Sequence, residues 1–307
     1  MTTITDAPDT LITQRRAFWQ RPTVVAIVFL LPFVALFAVF RVWAVAQAVA
    51  LSFQRMEGVG VSEWVGLGNY QALLTDGTFY LALRNTALYT AGTLLILIPL
   101  PFVIAAVLHS GAVKRATVMR TIFFVPVLTS LVVVGVIFSL LLSRSGLVNV
   151  ALASVGLQPQ AWLETRHLAI PAMLIMATWR WTGLNIVYFT TGLSNIPNDL
   201  YESASIDGAT GIQKFWHLSV PLCKPIILFV TVLSLFTGFQ LFVEPLILWG
   251  VSGGPGQGGL SIVLLLYRTA FTSFRLGYAS AIGVSLALII MVISLIQLKL
   301  FGFFKKD

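Results

Sequence analysis

The sequence predicts an all-α polytopic membrane protein with six transmembrane helices and both termini in the cytoplasm. Three observations carry that reading. Of the 307 residues, 58% are hydrophobic and only 10% charged; apolar runs recur at bilayer-spanning length; and Lys and Arg collect on alternate connections. A soluble chain of this composition would lack the polar residues to cover its surface, whereas lipid requires no such cover. The formal net charge of +8 comes from short basic groups between apolar runs, a spacing that fits membrane orientation and not nucleic-acid binding.

A bilayer core about 30 Å thick needs about 20 apolar helical residues. Six segments meet that length, at 24–50, 86–108, 119–142, 168–192, 225–249 and 277–298, and together they make a single membrane domain over 1–307. The first follows a polar tail ending in Arg15, Arg16 and Arg21; it is too long for a cleaved leader and lacks a small-x-small site after it. With the N-terminus inside, the cytoplasmic side holds Arg15, Arg16, Arg21, Lys114, Arg115, Arg120, Lys214, Lys224, Lys299, Lys305 and Lys306. The outer side holds Arg55, Arg84, Arg144, Arg166, Arg268 and Arg275. The excess lies inside, as orientation by positive charge requires. Pro32, Pro99, Pro101, Pro126 and Pro171 fall in or at the ends of spans, where they kink helices and free carbonyls.

Catalytic, metal and redox chemistry find no support. Cys223 is the single cysteine, His109, His167 and His217 are isolated, and no intramembrane carboxylate pair occurs. A proton- or sodium-coupled carrier should show several buried acids or inverted repeats, yet Glu244 is the one acid well inside a span. No GxxxxGK[ST] phosphate loop is present, and the glycine-rich run Ser252–Gly259 lies on the outer side, as a loop that meets another protein or gates a pathway.

The connection at 194–224 carries dense structural signals. Asn198 or Asp199 is placed to cap a short helix, with Glu202 at capping-box distance from Asp199 and Gly208 as its stop. A second helix starts at Thr210, paired with Gln213, and is expected to end before Pro221. Phe215 and Trp216 are expected to fix it against neighbouring spans. Ser203, Ala204 and Ser205 give the first helix a small-residue face. The result is a projecting elbow.

Here the chain resembles the permeases of binding-protein-dependent ABC importers, whose cytoplasmic signature is Glu-Ala-Ala, three residues, Gly, then an apolar run ending in Pro. Glu202, Ser203, Ala204, Asp207, Gly208, Ala209, Phe215, Pro221, Leu222 and Pro225 match it, with Ser203 in place of the first Ala. The sugar branch is resembled by Phe123-Phe124-Val125-Pro126, Gly146-Leu147-Val148-Asn149, Trp179, Ser252-Gly253-Gly254-Pro255 and Gly277-Tyr278-Ala279-Ser280-Ala281. The six-span form is similar to the first of two permeases in oligosaccharide and glycerol-phosphate importers. The resemblance implies the type I importer permease fold in a bacterial inner membrane. It also implies a second homologous permease, an extracytoplasmic solute-binding protein, and two ATPase subunits that bind ATP and Mg²⁺ and receive the elbow through Glu202, Ser203, Ala204, Asp207, Gly208 and Ala209.

A sugar pathway needs hydrogen-bonding side chains and aromatic faces inside the bundle. Thr178, Trp181, Asn185 and Tyr188 share one helical face in the fourth span, and Thr237, Gln240 and Glu244 share one in the fifth. Packing between helices is the competing use of these residues. Arg180, beside the first stripe, is open to three roles: pairing with Glu244, binding an anionic solute group, or contacting the partner permease. Trp249 is expected at the membrane interface. A permease for a non-sugar solute, and a carrier working alone, are the alternatives.

Overall fold

The computed structural model describes residues 22–301 apart from 59, 61 and 112. Arg15, Arg16, Arg21, Lys305 and Lys306, used in the charge count, lie outside the described residues. Residues up to Ala50 form one unit and those from Leu51 a second. The first contains α1 (Pro22–Phe37), a π-helical turn at Ala38–Val42 and most of α2 (Trp43–Ser52), which together pass the length and hydropathy required of a span.

The second unit opens with a departure from an all-helical reading. Where the sequence suggested only a polar connection at 55–68, β1 (Gln54–Met56) pairs antiparallel with β2 (Ser62–Trp64). Then come α3 (Gly68–Thr75), α4 (Gly77–Leu97), α5 (Pro99–His109), α6 (Ala116–Leu128), α7 (Leu131–Leu141), α8 (Leu147–Ser154) and α9 (Ala169–Ser194). After the elbow lie α13 (Lys224–Phe239), α14 (Val243–Trp249), α15 (Ile262–Tyr267) and α16 (Leu276–Leu300).

The stretches Gly77–His109, Lys224–Ser252 and Leu276–Leu300 are each long and apolar enough to cross a membrane. The second expected span therefore begins well before its apolar run, and Arg84 sits within α4 instead of in a loop. The expected third span at 119–142 is broken: α6 and α7 are bent by 97°. Thr129 and Ser130 are both extended at the break, and the Arg180 guanidinium donates to the Thr129 carbonyl, so a tertiary partner satisfies a group that a continuous helix would have used. The fourth expected span is the 26-residue α9. It is long enough to cross, but Arg180, Asn185 and its threonines dilute its hydropathy, and it is absent from the helices that pass on composition.

Close approach organises the packing. At Gly183 of α9 a Cβ would overlap the carbonyl carbon and oxygen of Phe123 on α6, so glycine lets the two backbones meet, as small residues do between helices in lipid. Pro101 has no N–H for the Leu97 carbonyl one turn earlier; Asn185 Nδ2 fills that vacancy at 2.8 Å. Arg120 Nη2 donates to the Leu108 carbonyl at the end of α5 (3.2 Å). Buried Phe102, Phe189, Leu193 and Val230 join α5, α9 and α13, while Phe79, Phe239, Ile262 and Ile282 join α4, α13, α15 and α16.

At the opposite end of α13–α14 from the elbow, the glycine-rich loop is fastened down. Asn85 Nδ2 donates to the carbonyls of Gln257 (2.9 Å) and Leu260 (3.1 Å), and Thr86 Oγ1 accepts from Ile262 N (2.9 Å). Trp249, expected as an interfacial anchor, is half-buried: its Nε1 donates to the Leu163 carbonyl at 2.8 Å and its ring packs directly under Gly254 and Gly259. Asn149, within the resemblance to the sugar branch, is buried and ties residues 143–162 together. It donates to the carbonyls of Ser143, Arg144 and Gln160 and accepts from Gln160 N and Trp162 Nε1.

At the same end Tyr278 Oη donates to Asp76 Oδ2 at 2.7 Å, and Asp76 caps α4 by accepting from Thr78 N at 2.8 Å. Burial raises the Asp76 carboxyl, but the hydrogen bonds from Tyr278 and Thr78 outweigh it and hold the group below the usual carboxylate range. A carboxyl whose folded value is depressed stabilises the fold above about pH 4 and loses that contribution as pH falls through the folded value. Tyr278→Phe is expected to cost about 1 kcal/mol at neutral pH and to flatten the acid limb of stability against pH. Thermal midpoints across an acid series check this; identical limbs in the two proteins would contradict it.

Candidate functional site

The elbow is built by local chemistry. It consists of α10 (Asn198–Ile206), α11 (Gly211–Lys214), a π-helical turn at Phe215–Ser219 and the short α12 (Val220–Leu222). Thr210 and Gln213 form the expected capping box. Gly208 has φ +79°, and the corner carries the paired bonds of a Schellman motif: Ala209 N to Ala204 O at 2.9 Å and Gly208 N to Ser205 O at 3.1 Å.

Two expectations fail here. Pro197 occupies the N-cap of α10, so Asn198 is its first helical residue, Asp199 lies in its first turn, and no side-chain cap forms. The second helical arm also does not stop before Pro221. The π turn widens the helix, Val220 N bonding to Phe215 O, and this carries the chain through a proline that cannot donate a regular bond; the break falls at Cys223.

Side chains lock the arms together. Lys214 Nζ donates to Ser205 Oγ (2.6 Å), and Tyr201 Oη and Ser219 Oγ share a 2.8 Å hydrogen bond. Phe215 packs on Phe102 of α5, with centroids 5.2 Å apart, as its anchoring role requires, whereas Trp216 is exposed. Glu202, Ser203, Asp207 and Gly208 are exposed, and Ala204 and Ala209 are half-buried. The corner also presents two apolar side chains that the sequence reading passed over, Ile206 at 87% and Ile212 at 73% exposure. The signal for them was present: isoleucines flanking a glycine stop with no helical periodicity to bury them.

The second feature is a cavity of about 380 Å³ between α4, α9 and the α13–α14 break. Trp181, Asn185, Tyr188, Thr237, Gln240 and Glu244 all line it, so the two stripes converge across helices. Glu244 is 7% exposed, at the start of α14, which places it in the cavity wall and not at the outer surface. Thr178 and Arg180 are not part of the lining. Thr178 Oγ1 returns to the Leu174 carbonyl at 2.7 Å. Arg180 reaches the Thr129 carbonyl, with its Cζ 5.2 Å from the Trp181 ring centroid, and makes no ion pair with Glu244. Among the described residues the ion pairs are Arg55 with Glu63 and Arg144 with Glu164. Missed by the sequence reading were Tyr89 and Thr93 of α4 and Leu131 of α7; Asn85, Tyr89 and Thr93 recur at helical spacing and could have signalled α4.

Residues 97–301 match the family model described as "Binding-protein-dependent transport system inner membrane component". The chain is 42% identical over 281 residues to the arabinooligosaccharides transport system permease protein of Bacillus subtilis (strain 168), covering 91% of this chain and 89% of the relative. It is 32% identical over 272 residues to the lactose transport system permease protein of Rhizobium radiobacter, covering 88% and 91%. Its fold superposes with TM-score 0.80 and 24% identity on a chain from the crystal structure of a bacterial ABC transporter involved in import of the acidic polysaccharide alginate, covering 92% and 96%.

Proposed function

The chain belongs to the family of binding-protein-dependent transport system inner membrane components, and from that premise we propose that it is one of two permeases forming the pathway of an ATP-driven importer for an oligosaccharide. It is a multi-pass transport permease and not an enzyme. The reading places it in a bacterial inner membrane, with the elbow on the cytoplasmic side, a solute-binding protein outside, and ATP with Mg²⁺ held by two partner ATPase subunits.

One observation supports this above the others: the elbow connects the C-terminus of α9 to the N-terminus of α13, and both of those helices line the cavity. A displacement of the elbow is passed along two packed helices to Trp181, Asn185 and Tyr188 of α9 and to Thr237 and Gln240 at the end of α13. In alternating access, ATP binding closes the ATPase subunits, the elbow moves with them, and the cavity changes the side it faces. Such a shift needs contacts that differ between the two states. Glu202, Ser203, Ala204, Asp207, Gly208 and Ala209 supply the docking corner, and exposed Ile206 and Ile212 supply apolar surface for a groove in the ATPase.

The test is reconstitution of the permease pair with its ATPase and solute-binding protein in proteoliposomes. Loaded binding protein is expected to stimulate ATP hydrolysis and drive oligosaccharide uptake. Hydrolysis indifferent to the loaded binding protein would refute the importer reading; stimulation by a non-carbohydrate solute alone would refute the substrate.

A further inference from the structure

The geometry points to a cavity that admits uncharged carbohydrate and discriminates against anionic carbohydrate, with Glu244 as the residue that sets this preference; the inference rests on the carbohydrate pathway proposed above. Among the residues lining the cavity, Glu244 is the one with a charged group, and neither Lys, Arg nor His contributes. The cation closest in sequence to the lining stripe, Arg180, does not line the cavity, although its charge acts on Glu244 at longer range than an ion pair. It donates to the Thr129 carbonyl at the α6–α7 break, lies over the Trp181 ring, and leaves Glu244 without an ion pair.

An anionic sugar entering this space must shed water from its carboxylate or phosphate, and burying such a charge is costly unless a cation or several donors replace the water. Among the described residues no cation lines the wall. In its ionised form Glu244 adds like-charge repulsion at short range, the component of the preference that Glu244→Gln removes. In both forms it hydrogen-bonds a sugar hydroxyl, as acceptor when ionised and as donor or acceptor when neutral. The other polar groups, from Asn185, Thr237 and Gln240, are neutral amides and hydroxyls suited to hydroxyls, and Trp181 and Tyr188 present ring faces to the apolar face of a pyranose or furanose. The fold shared with an importer of acidic polysaccharide does not carry over to the charge of this cavity's wall.

The experiment uses the assembled permease–ATPase complex without binding protein, so that the partner permease contributes its half of the pathway and the binding protein's own preference is removed. Quenching of Trp181 fluorescence, assigned by its loss in Trp181→Phe, is titrated with a neutral trisaccharide and with a uronic-acid trisaccharide of the same linkage. The expected result is a Kd at least about tenfold lower for the neutral sugar, since each tenfold needs only about 1.4 kcal/mol of discrimination. In Glu244→Gln the ratio is expected to contract to about threefold or less, and in Glu244→Lys to invert. Equal Kd values in the wild type, or an unchanged ratio in Glu244→Gln, would overturn the inference and leave the importer reading standing. Quenching by neither sugar would overturn the carbohydrate reading and this inference with it. The wild-type ratio tests the preference of the cavity even where a variant does not assemble, and the Glu244→Gln ratio tests the part that Glu244 plays in it.

Discussion

Gly183→Ala is expected to lower the stability of the assembled permease by about 3 kcal/mol and to cut its yield sharply. The added methyl would overlap the Phe123 carbonyl group and approach the Phe124 amide, and backbone inside a helix cannot rotate away as a side chain can. Relief requires α6 and α9 to separate. That shift would also pull Thr129 from Arg180 and reopen the contact that holds the α6–α7 bend. Gly92→Ala is the matched control: its methyl would meet Leu174 Cδ1 at 2.6 Å, the far end of a flexible side chain, and should cost about 1 kcal/mol. Thermal midpoints in detergent compare the two; equal losses would mean that α6 and α9 can separate without penalty.

Gly208→Val is expected to reduce solute-stimulated ATP hydrolysis at least about tenfold while leaving the thermal midpoint close to wild type. The site has φ +79°, and no atom lies within 4 Å of the position a Cβ would take, so the obstacle is conformational and not one of space. A β-branched residue is strongly disfavoured in the left-handed region. The corner would relax to negative φ, break the bonds from Ala209 to Ala204 and from Gly208 to Ser205, and swing Ile206 and Ile212 out of alignment. Gly208→Asn should restore much of the coupling, because asparagine tolerates that region. Full coupling in the valine variant would remove the elbow from the transmission path.

The elbow was legible in sequence because its signals are local. A capping box needs a Thr and a Gln three residues apart, and a helix stop needs one glycine; both forces act within a turn. The same locality explains the error at its start. Asp199 and Glu202 have the right spacing for a box, but Pro197 takes the cap position and moves both into the helix. The stripes were legible to a degree: periodicity places Thr178, Trp181, Asn185 and Tyr188 on one face of α9, and three of them reach the cavity. A helical face is broad, and which edge of it points into space and which into a neighbour depends on helices far away in sequence. Thr178 was free to bond back to its own helix, and Tyr89 and Thr93 entered from α4 with no link in the sequence of α9.

Composition and apolar run length by themselves determined a polytopic helical membrane protein, because lipid obliges a chain to satisfy its own backbone groups and helices do so within one segment. Capping residues and Gly208 determined the elbow. Only tertiary structure decided the 97° bend between α6 and α7, the commitment of Asn185 to the carbonyl left free by Pro101, and the engagement of Arg180 at Thr129 instead of at Glu244. Each of these is a choice of partner for a polar group with little water to turn to, and the partner is set by which helices meet.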